Sequence, residues 1–350
     1  MTAKERIPVS DGLSMPARYS PHERSYVAWP VLDEQRWSLD TARREHAAVI
    51  TAIAKFEPVT VVVDPNVTPS VSEYLDLNDP IELLEIPTDD TWIRDNGPIF
   101  VTDGEGGVAT VAFRFNGWGE KFEHGKDEKI SERIAAARGM RCYQAPLCLE
   151  GGGFSVDGEG SLIATEQYLL NPNRNPGWSR EKIEQALHDY LTVEKVIWIG
   201  NGLIEDSGPT STDGHSDNVV QFLRPGEVLL QTVRDRSNPN YDLCQENLRR
   251  LEQATDARGR SLKVIELDLL PYTEPVNGVR YPVPYVNYYV VNGGVIVPAN
   301  GAPEDDEGLE RLSKILPDRE IATVPSVAMA VDGGGVGCIT QQQPVGEPLR

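Results

Sequence analysis

The stretch VDGGGVGCITQQQP, residues 331–344, sets Cys338 behind three consecutive glycines, Gly333, Gly334 and Gly335, and directly after Gly337. Glycine reaches positive φ and lets the backbone pass close to a ligand. A thiol after such a run can stand at the edge of a pocket uncrowded by side chains, as a nucleophile requires. The stretch reads equally well as a glycine-rich turn followed by a small buried cysteine. Counted back from Cys338, polar landmarks recur at Asn287, His215, Glu150 and Asp95, with gaps of 51, 72, 65 and 55 residues. Between landmarks the pattern is repeatedly strand, helix, strand. Five units, each delivering a polar group from a strand end, predict an α/β chain built by radial repetition with the site on the axis. No linker divides the chain, so residues 1–350 are expected to form one domain.

Two landmarks sit in dense motifs. IPTDDTWIRDNGPIFV (86–101) packs three aspartates, Arg94 and Trp92 into the seven positions 89–95, and Gly97-Pro98 then turns the chain into an apolar strand. A solvated loop would seldom carry a tryptophan, so this reads as a cation site containing Asp95. LIEDSGPTSTDGHSDNVVQFL (203–223) brackets Ser216 with His215 and Asp217. On a strand, residues two apart share a face, which would aim His215 and Asp217 into one pocket. LEGGGFSVDGEGSL (149–162) places Glu150 before three glycines, echoing the surroundings of Cys338, although alone it also reads as a plain hairpin. VAFRFNGWGEKF (111–122) is a strand followed by a loop with a second, exposed-looking tryptophan, Trp118.

Elsewhere, helices are expected over 41–56 with Asp40 as N-cap, over 126–140 ending at Gly139, over 179–191 capped by Ser179, over 239–254, and over 304–316. Residues 13–30 read as irregular. Strands are expected in EPVTVVVDP, VEKVIWIGNG, VLLQTV, SLKVIELDL, EIATV and a hairpin at Asn292-Gly293.

Composition narrows the function. Net charge is −21 over 350 residues, which argues against nucleic acid and anionic membrane as partners and permits a cationic small substrate. MTAKERIPVSDGL has no secretory apolar region, and no apolar run approaches the ~20 residues of a membrane span. Cys142, Cys148, Cys244 and Cys338 are scattered and form no CxxC pair, which fits a reducing cytoplasm. The five histidines show no ligand spacing, so no metal is expected. A homo-oligomer is compatible with all of this.

Cys338, His215, Asp95, Asp217 and Glu150 together make an unusual set. Three carboxylates around a thiolate would suppress it unless the substrate brings positive charge. A guanidinium is planar, permanently charged and bound bidentately by carboxylates. Sulfur attack on its central carbon, with His215 protonating a departing nitrogen, would release ammonia, and water would then hydrolyse the amidino-thioether.

The sequence resembles the agmatine deiminase family, also known as bacterial-type peptidyl-arginine deiminases, among the guanidine-modifying enzymes. The motifs MPARYSPHERSYVAWP, KFEPVTVVV, WIRDNGPIFV, EGGGFSVDGEGSL, LLNPNRNP, TDGHSDN, YVNYYVVNGGVIVP and GGGVGCITQQQP carry the resemblance over nearly the whole chain. It implies a five-bladed α/β propeller, the pentein fold, with ββαβ modules around a central site. It implies Cys338 as nucleophile, His215 as general acid and base, Asp95 and Asp217 as guanidinium ligands, Glu150 beside the histidine and substrate, and no cofactor. The expected reaction is agmatine plus water to N-carbamoylputrescine plus ammonia. Another guanidino substrate, such as peptidyl arginine or an arginine derivative, is the alternative; an amidinotransferase and a non-catalytic binder of arginine-like cations are more distant ones. Trp92, Trp118 and Gly333 are the candidates for the substrate's far end, the indoles by covering an alkyl chain or by cation–π contact with an ammonium. The chain departs from the family's usual GGNIH at 333–337, from EGGSIH at Ser155, in the length of loop 205–211, and after VIVP at 299–306. These departures are expected to reshape the pocket away from the guanidinium.

Overall fold

The computed structural model describes residues 6–32 and 38–350. Residues 1–5, part of the N-terminal stretch read above, lie outside them. Among the described residues the strands form five sheets, each built on the same plan. In the first plan unit, Ile99–Thr102 pairs antiparallel with Gly107–Arg114, the helix Ile130–Ala137 crosses over, and Cys142–Cys148 returns parallel to the second strand. The next repeats it with Phe154–Val156, Ser161–Thr165, helix Arg180–Leu191 and Lys195–Ile199. Then come Val220–Arg224, Glu227–Gln231, helix Tyr241–Glu252 and Lys263–Leu267. Tyr289–Val291, Gly294–Pro298, helix Asp305–Ile315 and Glu320–Val324 make the fourth. The fifth joins the two ends of the chain. Thr340–Pro344 pairs antiparallel with His22–Ala28, helix Leu39–Ala54 follows, and Val59–Val63 lies parallel to His22–Ala28.

Local sequence explains these elements. Val59–Val63 is buried at every position, as a run of β-branched residues covered on both faces must be. Helix Arg180–Leu191 starts where the Ser179 side chain accepts the backbone N–H of Lys182 at 3.3 Å. Helix Leu39–Ala54 starts earlier than expected. Ser38, not Asp40, caps it, accepting from Thr41 N at 3.2 Å, and Asp40 instead holds Arg44 one turn on at 2.8 Å. Gly293 turns its hairpin at φ 79°.

Residues 13–30 are a larger correction. They contain strand His22–Ala28, flanked on both sides by partner strands. Its order comes from tertiary pairing, which local pattern does not report. The strand is clasped to the neighbouring module through Glu57. That buried carboxylate accepts from Ser25 Oγ at 2.5 Å, His22 Nδ1 at 3.0 Å and Asn292 N at 2.8 Å. The Asn292 side chain answers with bonds to His22 N at 3.0 Å and His22 O at 2.8 Å. Glu57→Ala would orphan several buried polar groups and is expected to cost about 3 kcal/mol. Chemical denaturation of the variant beside its parent checks this; an unchanged midpoint would show that the clasp does not hold the fold.

Candidate active site

Each predicted landmark lies two to five residues before the first strand of a module: Asp95, Glu150, His215, Asn287 and Cys338 precede Ile99, Phe154, Val220, Tyr289 and Thr340. Hydrogen bonds join these five loops in sequence. Gly152 N donates to Asp95 Oδ1 at 2.9 Å, and Asp217 N donates to Gly152 O at 3.1 Å. Asn287 Nδ2 donates to Asn218 Oδ1 at 2.9 Å, and Gly337 N donates to Asn287 Oδ1 at 2.8 Å. Arg94 N then donates to Cys338 O at 3.1 Å, which closes the circuit.

Glycines make this closeness achievable. A Cβ on Gly152 would fall 2.8 Å from Asp95 Oδ1, 2.8 Å from His215 Nδ1 and 2.9 Å from Asp217 Oδ2. The same addition on Gly335 or Gly337 would meet Asn287 Oδ1 at 2.7 or 2.9 Å, and on Gly334 the Trp92 ring at 2.2 Å. The glycines before Cys338 are therefore mostly close-packed; Gly333, at φ 91°, is the one beside open space.

Cys338 Sγ lies 3.2 Å from Asp217 Oδ2 and 3.4 Å from Asn287 Nδ2. His215 stands between two carboxylates, with Nδ1 3.8 Å from Asp95 Oδ1 and Nε2 3.6 Å from Glu150 Oε2. Tyr168 packs edge-on against its ring at 4.8 Å. Trp118 Nε1 donates to Asp95 Oδ2 at 3.0 Å. His215 and Asp217 do converge, but from a turn before the strand and not from alternate positions along it.

Burial and charge set the protonation states. Burial opposes a charged His215, but Asp95, Glu150 and Asp217 outweigh it and lift its pKa to about 9. Burial also disfavours an ionised Glu150, and Arg174 and His215 overcome this to hold its pKa at about 2. Burial raises Asp95 to about 6, with His215 working against the rise. Burial, then Asp217 and Asp95, push the Cys338 thiol well above its usual range. The site without substrate thus holds a neutral thiol, a protonated histidine and carboxylates facing a common point.

A pocket of about 220 Å³ opens from this point. Asp95 and Cys338 line it together with Trp92, Trp118, Gly333 and Gly334, while Leu32 and Phe122 stand exposed at its walls. All three residues expected at the substrate's far end therefore border the pocket. Trp118 is only 5% exposed, not an exposed loop residue; its φ of 57° turns the ring inward against Asp95. Among the described residues, no group of three or more histidine, cysteine or carboxylate side chains is arranged to hold a metal.

The sequence model of the Porphyromonas-type peptidyl-arginine deiminase family matches residues 14–344. This chain belongs to that family. Agmatine deiminase of Pseudomonas aeruginosa strain LESB58 is 41% identical over 369 residues, covering 98% of this chain and 99% of that protein. Agmatine deiminase of Ectopseudomonas mendocina strain ymp is 40% identical over 372 residues, with 98% and 99% covered. The solved agmatine deiminase of Enterococcus faecalis superposes with a TM-score of 0.91 at 34% identity, covering 98% of this chain and 100% of that one.

In this peptidyl-arginine deiminase family member several site residues escaped sequence reasoning. Arg174 is buried and donates from Nε to Glu150 Oε1 at 2.7 Å and from Nη1 to Asp213 Oδ2 at 2.6 Å. Glu150 is thus committed to Arg174 and His215, which leaves Asp95 and Asp217 as the carboxylates turned toward the thiol. Arg174 lies in LLNPNRNP, a motif legible only through the family resemblance. Asp206 accepts the His215 backbone N–H at 2.9 Å and so fixes that residue. Arg94 donates to Gln341 Oε1 at 2.5 Å, Gln342 Oε1 at 2.9 Å and Gly337 O at 3.1 Å. Of the four departures from the family pattern, two border the pocket: 333–337 through Gly333 and Gly334, and loop 205–211 through Thr210 and Ser211. Ser155 does not: it is buried and accepts from Phe222 N at 3.1 Å. Asp305 instead folds its own loop, accepting from Gly301 N at 2.7 Å.

If the free enzyme needs Asp95 ionised and His215 protonated, kcat/KM should rise as pH passes about 6 and fall as it passes about 9. A pH–rate profile checks both limbs. Activity undiminished well below pH 6 would remove Asp95 from the essential set.

Proposed function

We propose that this protein hydrolyses agmatine to N-carbamoylputrescine and ammonia through a covalent adduct on Cys338. The observation that carries the reading is a buried neutral thiol 3.2 Å from Asp217, in a site where carboxylates disfavour its ionisation. A guanidinium bound to Asp95 and Asp217 supplies the missing positive charge. It lowers the thiol's pKa and presents its central carbon to Sγ. The high identity to agmatine deiminases over the full chain supports the choice of substrate.

The reaction then runs in two halves. Sulfur bonds to the guanidinium carbon, and the thiol proton passes to Asp217, whose Oδ2 lies 3.2 Å from Sγ and which later returns it to the sulfur. His215 protonates a terminal nitrogen, the C–N bond breaks, and ammonia departs. The remaining amidino-thioether retains its alkyl-substituted nitrogen and its positive charge. Neutral His215 next takes a proton from water, whose oxygen bonds to the same carbon. The C–S bond breaks, and the sulfur regains a proton. The products are a urea-type amide and ammonia. Glu150, anchored by Arg174, orients and charges His215; Trp118 orients Asp95. Trp92, Trp118 and Gly333 border the alkyl chain. A single working unit spanning residues 1–350 belongs to the same proposal, supported by a hydrogen-bond circuit that draws on all five modules, and so does a cytoplasmic setting, supported by four cysteines that are all free.

Ammonia release from agmatine tests the reading. Cys338→Ala is expected to lower kcat by roughly 10³-fold or more with the fold intact. Asp95→Asn and Asp217→Asn each remove one partner of a buried ionic contact, so each should cost about 3–5 kcal/mol in kcat/KM. Near-parental turnover in the cysteine variant would end the covalent mechanism. Near-parental kcat/KM in either asparagine variant would remove that residue from guanidinium binding.

A further inference from the structure

A second cavity, about 170 Å³, lies against the substrate pocket. Five residues, Thr210, Ser211, Asp332, Gly333 and Gly334, border both spaces. We propose that this second cavity is an extension subsite for guanidino compounds longer than agmatine that carry a second ammonium along the chain, with Glu205 as its acceptor. The proposal rests on the deiminase reading of the neighbouring site.

The charge of the lining points to a cation. Glu205, Asp206 and Asp332 border the cavity, and among the described residues no lysine, arginine or histidine does. Asp206 is already committed, accepting from Thr212 N at 2.8 Å, Thr212 Oγ1 at 2.6 Å and His215 N at 2.9 Å. Glu205 is held differently. Oε1 accepts from the Tyr272 hydroxyl at 3.0 Å and Oε2 from Asn240 Nδ2 at 2.9 Å. Each carboxylate oxygen keeps further acceptor capacity. Asn240 is itself buried and fixed by Ile204 N, which donates to its Oδ1 at 2.8 Å. The carboxylate is therefore pre-positioned and need not be ordered by the ligand.

The loop that borders both cavities is separately anchored. Lys121 Nζ donates to Gly208 O at 3.0 Å, Ser211 O at 2.8 Å and Asp213 Oδ1 at 2.7 Å, which pins loop 208–211 beside the pocket. Across from it, the Cβ position of Gly333 has no atom within 4 Å. An alkyl chain leaving the substrate pocket over Gly333 has room to enter the second cavity. A tail ending in a carboxylate would be repelled there, and one with a second ammonium would be attracted.

The probe is agmatine bearing a 3-aminopropyl group on its primary amine, compared with agmatine itself. Ammonia release is measured with the parent, Glu205→Gln and Glu205→Lys. The ratio of kcat/KM for the extended compound over agmatine is expected to fall roughly tenfold in Glu205→Lys, equivalent to about 1.4 kcal/mol, and by less in Glu205→Gln. An unchanged ratio in both variants would overturn the proposal, as would a parent that turns over agmatine and rejects the extended compound. Calorimetric binding of the extended compound to Cys338→Ala, with and without Glu205→Lys, reads the subsite without turnover. Equal affinities in that pair would sink the subsite alone, whereas absence of ammonia release from either compound in the parent would sink the deiminase reading.

Discussion

The structure depends on one closed circuit of hydrogen bonds. Five loops from five modules meet there, and each loop passes its bond to the next until Cys338 O receives the Arg94 N–H. No two of the five key residues share a local segment, apart from the pair His215 and Asp217. Their geometry is a property of closure, and closure requires that Thr340–Pro344 pair with His22–Ala28 from the other end of the chain. The Glu57 clasp and the Arg94 bonds to Gln341 and Gln342 hold that junction. The two strengthen the same seam: one toward the neighbouring module and one beside Cys338.

Electrostatics gives the circuit its chemical meaning. Burying Asp95, Asp217 and Glu150 together is costly unless positive charge accompanies them. Arg174 and His215 compensate Glu150, which explains its low pKa. Asp95 and Asp217 remain beside a thiol that they keep protonated. On the proposed reading, a cationic substrate would relieve this excess and favour the Cys338 thiolate in one event. Selectivity and reactivity then share a cause: a neutral molecule of similar shape would neither bind well nor generate the thiolate.

Much of this was legible in the sequence because the key residues sit in short motifs where glycines, a histidine and acids crowd together. Cys338, His215, Asp95, Asp217 and Glu150 all converge, and the strand–helix–strand rhythm corresponds to five sheets of one plan. What stayed hidden depends on distant parts of the chain. His22–Ala28 has no clear strand pattern and gains its order from two remote partners. Trp118 looked exposed because nothing local announces a non-glycine residue at φ 57°. Arg174 was silent because its role exists only where Glu150 and Asp213 approach it. The glycines near Cys338 did mark the site, but for a different reason than open access: Asn287 and Trp92 occupy the space that side chains would need.

The central claim is that a buried, neutral Cys338 becomes the nucleophile once a guanidinium neutralises its carboxylates. Acid quenching during agmatine turnover, followed by intact-mass and peptide analysis, tests it most directly. The parent enzyme is quenched at successive times within the first turnovers, because His215 acts in both halves of the reaction and its removal would slow formation of the adduct as well. The expected result is an added mass equal to agmatine less ammonia, on the peptide containing Cys338 and nowhere else. Ammonia release that continues with no adduct on Cys338 at any quench time, or with the adduct on another residue, would contradict it.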